Sequence, residues 1–374
     1  MNHLKKKIAI IIPGGIGGGN FLQGIPVVED LVQRLSESYE VTVYSLIKTD
    51  PAYTPKNFVL RHTGAHYKRP VMWRIFLCSL LFVFDYVKNR YVLVHGIWGH
   101  PPGRMAVILA KIFGIPSVVS IRGGEAAHVP EINYGNMLHP RIRKITLWTC
   151  RNAAALVMLT RFQLTELRKY GMDRKDYHII PNGVDETVFT FQKKALRAPY
   201  HLIHIGNLNP VKDQPTLLKA FKLISEKADC RLKMVGDGES MHELKQLAEN
   251  LGIADKVTFT DAIPNKALPG YLHEAHFMLH SSLYEGQGVV LAEAAACGVV
   301  VCATRVGLVA DWGDNCCRPV PCRDFQAMAN EVLALIENPP EYERLQQNAL
   351  NWAKENTAAN MALSFEKIYN SLLK

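Results

Sequence analysis

The feature of this sequence that most constrains its fold is an alternation of short β-branched apolar runs with longer amphipathic stretches, repeated twice along 374 residues. In the first half the runs are Ile8–Ile12, Val41–Leu46, Val92–His95, Ser117–Ile121 and Ala155–Leu159. In the second half they are His201–Ile205, Arg231–Val235, Val257–Thr260, Phe277–His280 and Val299–Ala303. Apolar runs separated by helix-length segments predict parallel sheets covered on both faces. We therefore expect two doubly wound α/β domains that bind ligands at the carboxyl ends of their strands.

The boundary between the two domains is predicted between residues 190 and 191. The turn sequence Pro181-Asn182-Gly183-Val184-Asp185 precedes the segment Val188–Tyr200, in which the apolar pattern is interrupted. The chain is long enough for each half to bury a core of its own. Two similar halves joined by a hinge also predict a cleft between them, which is a common place for a ligand.

Charge is distributed unevenly between the halves. Residues 1–190 contain 24 Lys and Arg against 13 Asp and Glu, whereas residues 191–374 contain 19 against 21. A basic half suits an anionic substrate, an anionic membrane surface or nucleic acid. Nucleic acid is disfavoured, because the basic residues are scattered and no zinc-finger, RNP or KH signature is present. The eight cysteines form no C-x-x-C pair and the first residues lack a signal-peptide pattern, so we expect a reduced, cytoplasmic protein.

The strongest apolar run is Val71–Phe84, with Arg74 inside it and basic residues at both ends, Lys68-Arg69 and Lys88-Asn89-Arg90. It is shorter than the roughly 20 residues that span a bilayer, so no transmembrane helix is predicted. The favoured interpretation is a buried helix of the first domain. The flanking bases and Trp73 keep a second interpretation open, a helix at the interface of an anionic membrane and a peripheral location at its inner face.

Each half has a glycine-containing loop directly after its first strand. Pro13–Asn20 precedes a helix that begins near Ile25-Pro26, and Gly206–Asp213 precedes the predicted helix Pro215–Ile224. A glycine loop that leads to a helix N-terminus suits a phosphate. NAD binding is disfavoured, because no carboxylate ends the second strand. Lys212 lies where its ammonium would meet the charge of a diphosphate, although a single lysine is more often a surface residue.

Glu285 and Glu293 lie on either side of a loop that contains Gly286 and Gly288 and runs into an apolar helix. Glycines leave backbone N–H groups unobstructed, and those amides with a helix N-terminus suit a phosphate. Glu285 would then stand at the sugar end of a sugar diphosphate, and Glu293 could reach hydroxyls such as those of a ribose. For this spacing alone, two solvated glutamates are the better interpretation, so the choice depends on the rest of the chain.

Several motifs together resemble the retaining family 4 glycosyltransferases of the GT-B fold. They are, in order, Pro181–Asp185, Gly206–Asp213, Val235-Gly236-Asp237-Gly238, Glu285–Glu293 and Ala294-Ala295-Ala296-Cys297-Gly298. The resemblance implies two Rossmann-like domains facing across a cleft, an acceptor-side domain at 1–190 and a nucleotide-sugar domain at 191–356. It also implies a C-terminal helix at 357–374 that crosses back to the first domain.

The resemblance also implies roles for individual residues. Glu285 matches the glutamate that contacts hydroxyls of the transferred sugar, Glu293 the one that holds the ribose, and Lys212 the lysine that neutralises the diphosphate. The other donor-binding positions that match are Gly15, Gly206, Asn207, Gln287, Gly288, Val289 and Val290. Asn207 stands where the family often has an arginine. Arg122 stands where a histidine is common, so we assign it to an anionic acceptor or to a donor phosphate.

The expected activity is a retaining, metal-independent hexosyl transfer from a nucleotide-diphosphate sugar to a glycan or lipid-linked acceptor in surface or exported polysaccharide synthesis. The chain has no Asp-x-Asp, and we expect neither a metal site nor a cofactor besides the nucleotide sugar. Two alternatives stay open: a sugar-nucleotide epimerase of the same architecture, and a non-catalytic sugar-binding homologue. The role of Glu285, as nucleophile or as a group that orients the sugar, is also open.

Overall fold

The computed structural model describes residues 5–17 and 25–374, and these form two compact α/β units. Unit 1 comprises the described residues up to His128 together with Gly135–Gly183 and Ala358–Lys374. Unit 2 comprises Val129–Tyr134 and Val184–Thr357.

The described residues form thirteen strands and thirteen α-helices. The strands are β1 (Lys7–Ile12), β2 (Glu40–Ser45), β3 (Val59–His62), β4 (Leu93–Ile97), β5 (Ser117–Ile121), β6 (Ala155–Met158), β7 (His178–Ile179), β8 (Tyr200–Ile205), β9 (Cys230–Val235), β10 (Val257–Thr260), β11 (Phe277–His280), β12 (Val300–Thr304) and β13 (Arg318–Val320). The helices are α1 (Pro26–Ser38), α2 (Val71–Asn89), α3 (Arg104–Phe113), α4 (Pro140–Asn152), α5 (Arg161–Arg168), α6 (Gln214–Lys227), α7 (Met241–Asn250), α8 (Leu268–Glu274), α9 (Val289–Ala296), α10 (Leu308–Trp312), α11 (Phe325–Glu337), α12 (Pro339–Glu355) and α13 (Ala358–Leu372).

Both units are built on parallel sheets, as the apolar pattern predicts. The strand order is β3-β2-β1-β4-β5-β6-β7 in unit 1 and β10-β9-β8-β11-β12-β13 in unit 2, and every described strand pair is parallel. The order reverses between β1 and β4 in one sheet and between β8 and β11 in the other. Loops diverge at such a switch point, which makes the carboxyl ends of these strands the expected ligand sites. The prediction of two doubly wound α/β domains is confirmed.

The ten predicted strands are present, with bounds that differ by a residue or so, whereas β3, β7 and β13 were not predicted. β3 and β7 are the two edge strands of the first sheet, and β13 is an edge strand of the second. β3 is largely exposed, β7 has two residues, and β13 contains Pro319. Short edge strands lack the continuous apolar run that marks a strand buried on both faces.

The boundary between the units lies between Gly183 and Val184, ahead of position 190. The Val184 N–H donates a hydrogen bond to the Asn356 carbonyl at 3.0 Å. Val184 and Phe189 are buried in the core of unit 2. The residues that follow the Asn-Gly turn therefore pack as part of unit 2.

Helix α13 belongs to the core of unit 1 although it is the last element of the chain. Met361, Phe365 and Tyr369 are buried among residues of α1 and the central strands. The Tyr369 hydroxyl also makes a 2.7 Å hydrogen bond with Nδ1 of the buried His95 on β4. Unit 1 is therefore completed by residues that follow unit 2 in sequence.

The prediction of a buried helix over the apolar run at residues 71–84 is correct about the helix and wrong about its burial. Helix α2 extends over 19 residues, but Cys78 and Phe82 are its only fully buried side chains. Apolar residues occupy most of its circumference, whereas only one side packs against the sheet and α3. In the described part of the chain, no helix combines the length and apolarity that crossing a membrane requires.

Candidate active site

The candidate active site lies at the switch point of unit 2, where the loops after β8 and β11 run beside each other. The first loop is Gly206–Asp213 and the second is Ser281–Gly288. The Leu283 N–H donates to the Val211 carbonyl at 2.8 Å, and a side-chain hydrogen bond from Ser281 joins the same two loops. The two motifs, far apart in sequence, therefore form one rigid corner of the sheet.

Glu285 accepts hydrogen bonds from three side chains at this corner, and all of them end on its Oε1 atom. The donors are the Lys212 ammonium, His280 Nε2 at 2.8 Å and the Ser282 hydroxyl at 2.7 Å. Among the described residues, none donates a hydrogen bond to Oε2. The carboxylate is therefore held at one oxygen and available for a ligand at the other.

The charge state of Glu285 follows from these neighbours. Burial raises the pKa of its carboxyl, but the Lys212 charge and the His280 hydrogen bond outweigh burial and hold that pKa well below its usual value. Glu285 is therefore ionised at neutral pH. An ionised carboxylate cannot donate a proton, but it can accept hydrogen bonds from sugar hydroxyls and stabilise positive charge.

Two buried histidines lie beside this carboxylate: His280, which is hydrogen-bonded to Glu285, and His204, which stacks on His280. Burial lowers the pKa of His204 to about 3, with a further contribution from His280. Burial also lowers the pKa of His280, against the opposing effect of its hydrogen bond with Glu285. The two rings stack with centroids 5.4 Å apart. Both are therefore neutral at pH 7, and a neutral His280 protonated at Nε2 can donate to Glu285.

The loop after Glu285 ends at the N-terminus of α9. Gly288 precedes the helix with φ of 86°, a left-handed conformation that glycine adopts without steric cost. Val289 and Val290 are the first helical residues, and N–H groups in the first turn have no carbonyl partner within the helix. Such amides, with the helix dipole, stabilise a phosphate. The predicted donor-binding residues Gln287, Gly288, Val289 and Val290 thus lead from the Glu285 loop into this helix.

Gly307, after β12, supports the loop from behind. Its φ is 54°, and a Cβ atom there would lie 2.7 Å from the Gln287 carbonyl oxygen and 2.7 Å from Glu285 Cβ. The next residue, Leu308, donates its N–H to the Gln287 carbonyl at 2.9 Å. No L-side chain fits here without displacing the loop. Gly307 is therefore a positioning residue for Glu285.

Glu293 lies in the second turn of α9 and is only 7% exposed. Its Oε1 atom accepts a 2.9 Å hydrogen bond from Asn265 Nδ2. Burial raises the pKa of the carboxyl to about 7, and the Asn265 hydrogen bond opposes this only in part. The interpretation of two solvated glutamates is therefore wrong for both residues, because each is buried and held by named partners.

Gly206 and Asn207 lie in the first loop of the site. The Gly206 N–H donates to the Val235 carbonyl at 3.0 Å, and the Asn207 carbonyl accepts from Gln214 Nε2 at 2.9 Å. The Asn207 side chain is exposed. Its backbone is therefore part of the rigid corner, while its side chain brings no positive charge to replace the arginine common in the family.

Gly15, the predicted donor contact in unit 1, follows β1. Its carbonyl accepts a 2.6 Å hydrogen bond from the Ile25 N–H, just before α1. The rest of the predicted glycine loop, Gly18, Gly19 and Asn20, lies outside the described residues. The structure places Gly15 at the switch point of the first sheet.

Arg122 is a buried cation at the end of β5 in unit 1, 8% exposed. Its Nη1 donates to the Asn182 side chain, and its guanidinium carbon lies 5.8 Å from the centre of the Phe365 ring. Its Nε and Nη2 are buried and have no hydrogen-bond partner among the described residues. Burial lowers the pKa of Arg122 to about 10, so it remains charged at neutral pH. Two unused donors on a buried cation mark a site for an anion.

Glu125 shapes the loop that carries Arg122. Its carboxylate accepts the N–H groups of Gly99 at 2.9 Å, Gly123 at 2.6 Å and Arg122 at 3.3 Å. Burial raises its pKa, although these hydrogen bonds oppose the shift. Glu125 therefore joins the loop after β4 to the loop after β5 and holds the backbone of Arg122 in place.

His273 and His276 do not form a metal site with their neighbours. His273 Nε2 bonds the Thr190 carbonyl at 2.8 Å, and His276 bonds the Ala195 carbonyl at 3.1 Å. Over residues 5–17 and 25–374, no group of three or more His, Cys, Asp or Glu side chains could hold a metal ion.

Sequence reasoning missed His280, Ser282, Asn265 and Gly307. His280 was recognised only as the last residue of a predicted strand, and a strand end at a switch point is the signal that could have identified it. Asn265 begins a short 3-10 helix and Gly307 lies in the loop after β12, and no local sequence pattern marks either of them. Their roles arise from contacts that only the folded chain creates.

Comparison with known proteins agrees with this geometry. Residues 187–352 match the model for glycosyl transferases group 1, and residues 26–188 match the model for glycosyltransferase family 4. The chain belongs to the family 4 glycosyltransferases.

One curated relative is the N-acetyl-alpha-D-glucosaminyl L-malate synthase of Bacillus anthracis. It is 27% identical over 246 residues, which cover 63% of this chain and 64% of the relative. The match therefore spans less than two thirds of that protein.

Two solved structures share the fold over nearly the whole chain. Sucrose-phosphate synthase from Thermosynechococcus elongatus has a TM-score of 0.82 at 19% identity, with 98% of this chain and 99% of that one covered. HepE of Anabaena, solved with UDP and glucose, has a TM-score of 0.76 at 17% identity, with 98% and 100% covered. At these identities the likeness establishes the GT-B fold.

Proposed function

We propose that the chain is a retaining glycosyltransferase that moves a hexose-type sugar from a nucleotide-diphosphate sugar to a glycan or lipid-linked acceptor, in surface or exported polysaccharide synthesis. The observation that carries the proposal is the pairing of Lys212 with Glu285 at the switch point of unit 2, beside the N-terminus of α9. A cation, an ionised carboxylate and free helix amides match a sugar joined to a diphosphate.

Lys212 and the first amides of α9 would stabilise the leaving group. When the bond from the anomeric carbon to the diphosphate breaks, negative charge builds on the phosphate oxygens. In the unliganded site Lys212 is paired with Glu285, so donor phosphate would compete for the ammonium. This arrangement supplies positive charge from the protein itself, and we propose that the reaction needs no metal and no cofactor.

Glu285 would orient the transferred sugar through Oε2, while Oε1 stays with its three protein donors. Its low pKa keeps it anionic as positive charge develops at the anomeric carbon. We propose front-face attack, in which the new bond forms on the face that the diphosphate leaves and the acceptor proton passes to a phosphate oxygen. A direct nucleophilic role for Glu285 is the alternative.

Glu293 would hold the ribose of the donor. Asn265 occupies Oε1, and none of the described residues donates to Oε2. Gly15, Gly206, Gln287 and the backbone of Asn207 complete the proposed donor contacts. Because HepE has been solved with UDP and glucose, UDP-sugars are the first donors to test.

Arg122 would bind an anionic group, for which the acceptor is the first candidate. Unit 1 contains most of the basic first half of the chain, and malate, named in the activity of one relative, is an anion. Donor phosphate is the second candidate. The two are separated by Arg122→Gln: loss of acceptor affinity with unchanged UDP binding supports the first, and loss of UDP affinity supports the second. Unchanged affinity for both ligands would show that Arg122 binds neither of them. Arg141→Gln, at an exposed position, serves as the control.

The function itself is tested by calorimetric binding of UDP-, GDP- and ADP-sugars in the presence of EDTA, followed by product analysis. We expect micromolar binding of one nucleotide class and transfer to acceptor or water with retained anomeric configuration. Epimerised donor without release of nucleoside diphosphate would favour the epimerase. Binding of free sugar without nucleotide would favour the non-catalytic homologue, and no nucleotide-sugar binding at all would contradict the proposal.

A further inference from the structure

Helix α2 exposes an apolar face that none of the described residues covers. Eight large apolar residues of α2 are exposed. One is Val71, the first residue of the helix, and the other seven, between 39% and 74% accessible to solvent, are Met72, Trp73, Phe76, Leu80, Val83, Phe84 and Val87. At 100° per residue these seven positions fall within an arc of about 120°. The buried pair, Cys78 and Phe82, lies on the opposite side. A single stripe of large apolar side chains thus faces solvent along most of the helix.

Helix α3 packs against α2 and adds exposed apolar residues of its own. Phe113 of α3 stacks on Tyr86 of α2 with ring centres 3.9 Å apart, and α3 also presents the exposed Ile108 and Ile112. We call the exposed apolar stripe of α2, together with Ile108 and Ile112, the α2–α3 face. Exposed apolar patches of this extent on a folded unit mark interaction sites.

The charge around the face is almost entirely positive. Residues 63–116 contain seven Lys and Arg, and Asp85 is their only acidic residue. Asp85 is already engaged, because it accepts hydrogen bonds from the Tyr44 hydroxyl and from Arg61. Lys68 and Arg69 lie just before the helix, and Lys88 and Arg90 lie at its end. Basic side chains therefore flank an apolar stripe at both ends.

This combination selects one kind of partner. A second copy of the chain, packed face to face, would oppose two sets of like charges, which is unfavourable. A nucleic acid offers phosphates but would leave the apolar stripe unmatched. An anionic bilayer offers both an apolar layer for the stripe and negative headgroups for lysines and arginines that extend outward from it.

We propose that the α2–α3 face docks on an anionic lipid bilayer, with α2 parallel to the membrane plane and Trp73 at the level of the headgroups. The helix lies in the interface and does not cross it. Docking uses no residue of the candidate active site, so it stands or fails independently of the proposed transferase activity.

Sedimentation with vesicles tests this directly, using the full chain without donor. Vesicles of phosphatidylcholine with phosphatidylglycerol should bind the protein, and pure phosphatidylcholine vesicles should bind it much more weakly. We expect vesicle affinity to fall at least tenfold in the triple variant Trp73→Ser/Phe76→Ser/Phe84→Ser. Each of Lys68→Gln, Arg69→Gln and Lys88→Gln should lose about fivefold, and salt should reduce these losses.

Matched controls keep the test specific. Leu363 is also exposed and apolar, but it lies on α13, so Leu363→Ser should bind as the wild type does. Fluorescence of Trp73 gives a second measurement, because lipids brominated on the acyl chain should quench wild-type protein more than Trp73→Phe. Equal binding of triple variant and control would overturn the proposal, as would absence of vesicle binding. Dimerisation that the triple variant abolishes, without vesicle binding, would assign the face to a second copy instead.

Discussion

Substitution of Glu293 by glutamine should stabilise the unliganded protein, and the gain should depend on pH. The carboxyl is buried on α9, with a pKa raised by burial to about 7 from an ordinary value of 4.5. Below pH 4.5 the group is neutral in both folded and unfolded chains. As the pH rises toward 7, ionisation of the carboxyl lowers the free energy of the unfolded chain but not that of the folded chain. The free energy of unfolding therefore falls across this interval.

The size of the effect follows from the shift. A raised pKa of this size lowers the free energy of unfolding by about 3 kcal/mol at pH 8 and by about 1 kcal/mol at pH 5. Glutamine is neutral at every pH and keeps an oxygen that can accept the hydrogen bond from Asn265. We therefore expect Glu293→Gln to be more stable than the wild type by about 3 kcal/mol at pH 8 and by about 1 kcal/mol at pH 5.

Urea unfolding at both pH values, followed by circular dichroism, measures this difference. Glu249→Gln on α7, an exposed site, controls for the substitution itself. The same Glu293→Gln protein should bind UDP about tenfold or more weakly, because a neutral amide replaces a charged acceptor for the ribose hydroxyls. A variant less stable than the wild type at pH 8, or a difference that does not change with pH, would refute this account of Glu293.

Three further substitutions test the site. Lys212→Ala should weaken UDP binding by about 10- to 100-fold in calorimetry, because a charge-assisted hydrogen bond to phosphate contributes about 1.5–3 kcal/mol. The exposed Lys227→Ala serves as the control. Equal UDP affinities of the two variants would exclude Lys212 from the donor site. Gly307→Ala should lower turnover at least tenfold, because the added Cβ would displace the Glu285 loop. Gly313 has the same φ of 54°, but a Cβ there would meet no atom within 4 Å, so Gly313→Ala should keep normal turnover. Similar turnover in both variants would contradict the positioning role of Gly307. His280→Ala should raise the pKa of Glu285 by removing a hydrogen bond, so the acid limb of the pH–rate profile should move to higher pH. An acid limb at the same pH would contradict the role of His280 in keeping Glu285 ionised.

Much of the fold follows from the local pattern of residues. The predicted bounds of β5, β10 and β11 match those observed, and every residue of β5 and β11 is buried. The edge strands β3 and β13 are exposed or contain proline, so their apolar signal is weak. For helix α2, the apolar run predicts the helix but not which of its sides is buried, because burial depends on the elements that pack against it.

Some features of the candidate site can be predicted from the sequence, whereas others arise only from tertiary contacts. Lys212, Glu285 and Glu293 follow strands and glycine loops, so their sequence positions indicate a shared site. That Lys212 and Glu285 form an ion pair is a tertiary fact, set by hydrogen bonds between two distant loops. Gly307 is detectable only from the space its missing side chain leaves for Glu285 and Gln287.

The most direct test of the proposed function compares donor binding with turnover in wild-type protein and Glu285→Gln, using the nucleotide sugar that the wild type accepts. Calorimetry gives the donor Kd, and release of nucleoside diphosphate gives kcat on the same preparations. Glu285 is proposed to act on the reacting sugar, so we predict a kcat lower by about 100-fold or more and a Kd within about threefold of wild type. An unchanged kcat, or equal losses in kcat and affinity, would contradict the catalytic role assigned to Glu285.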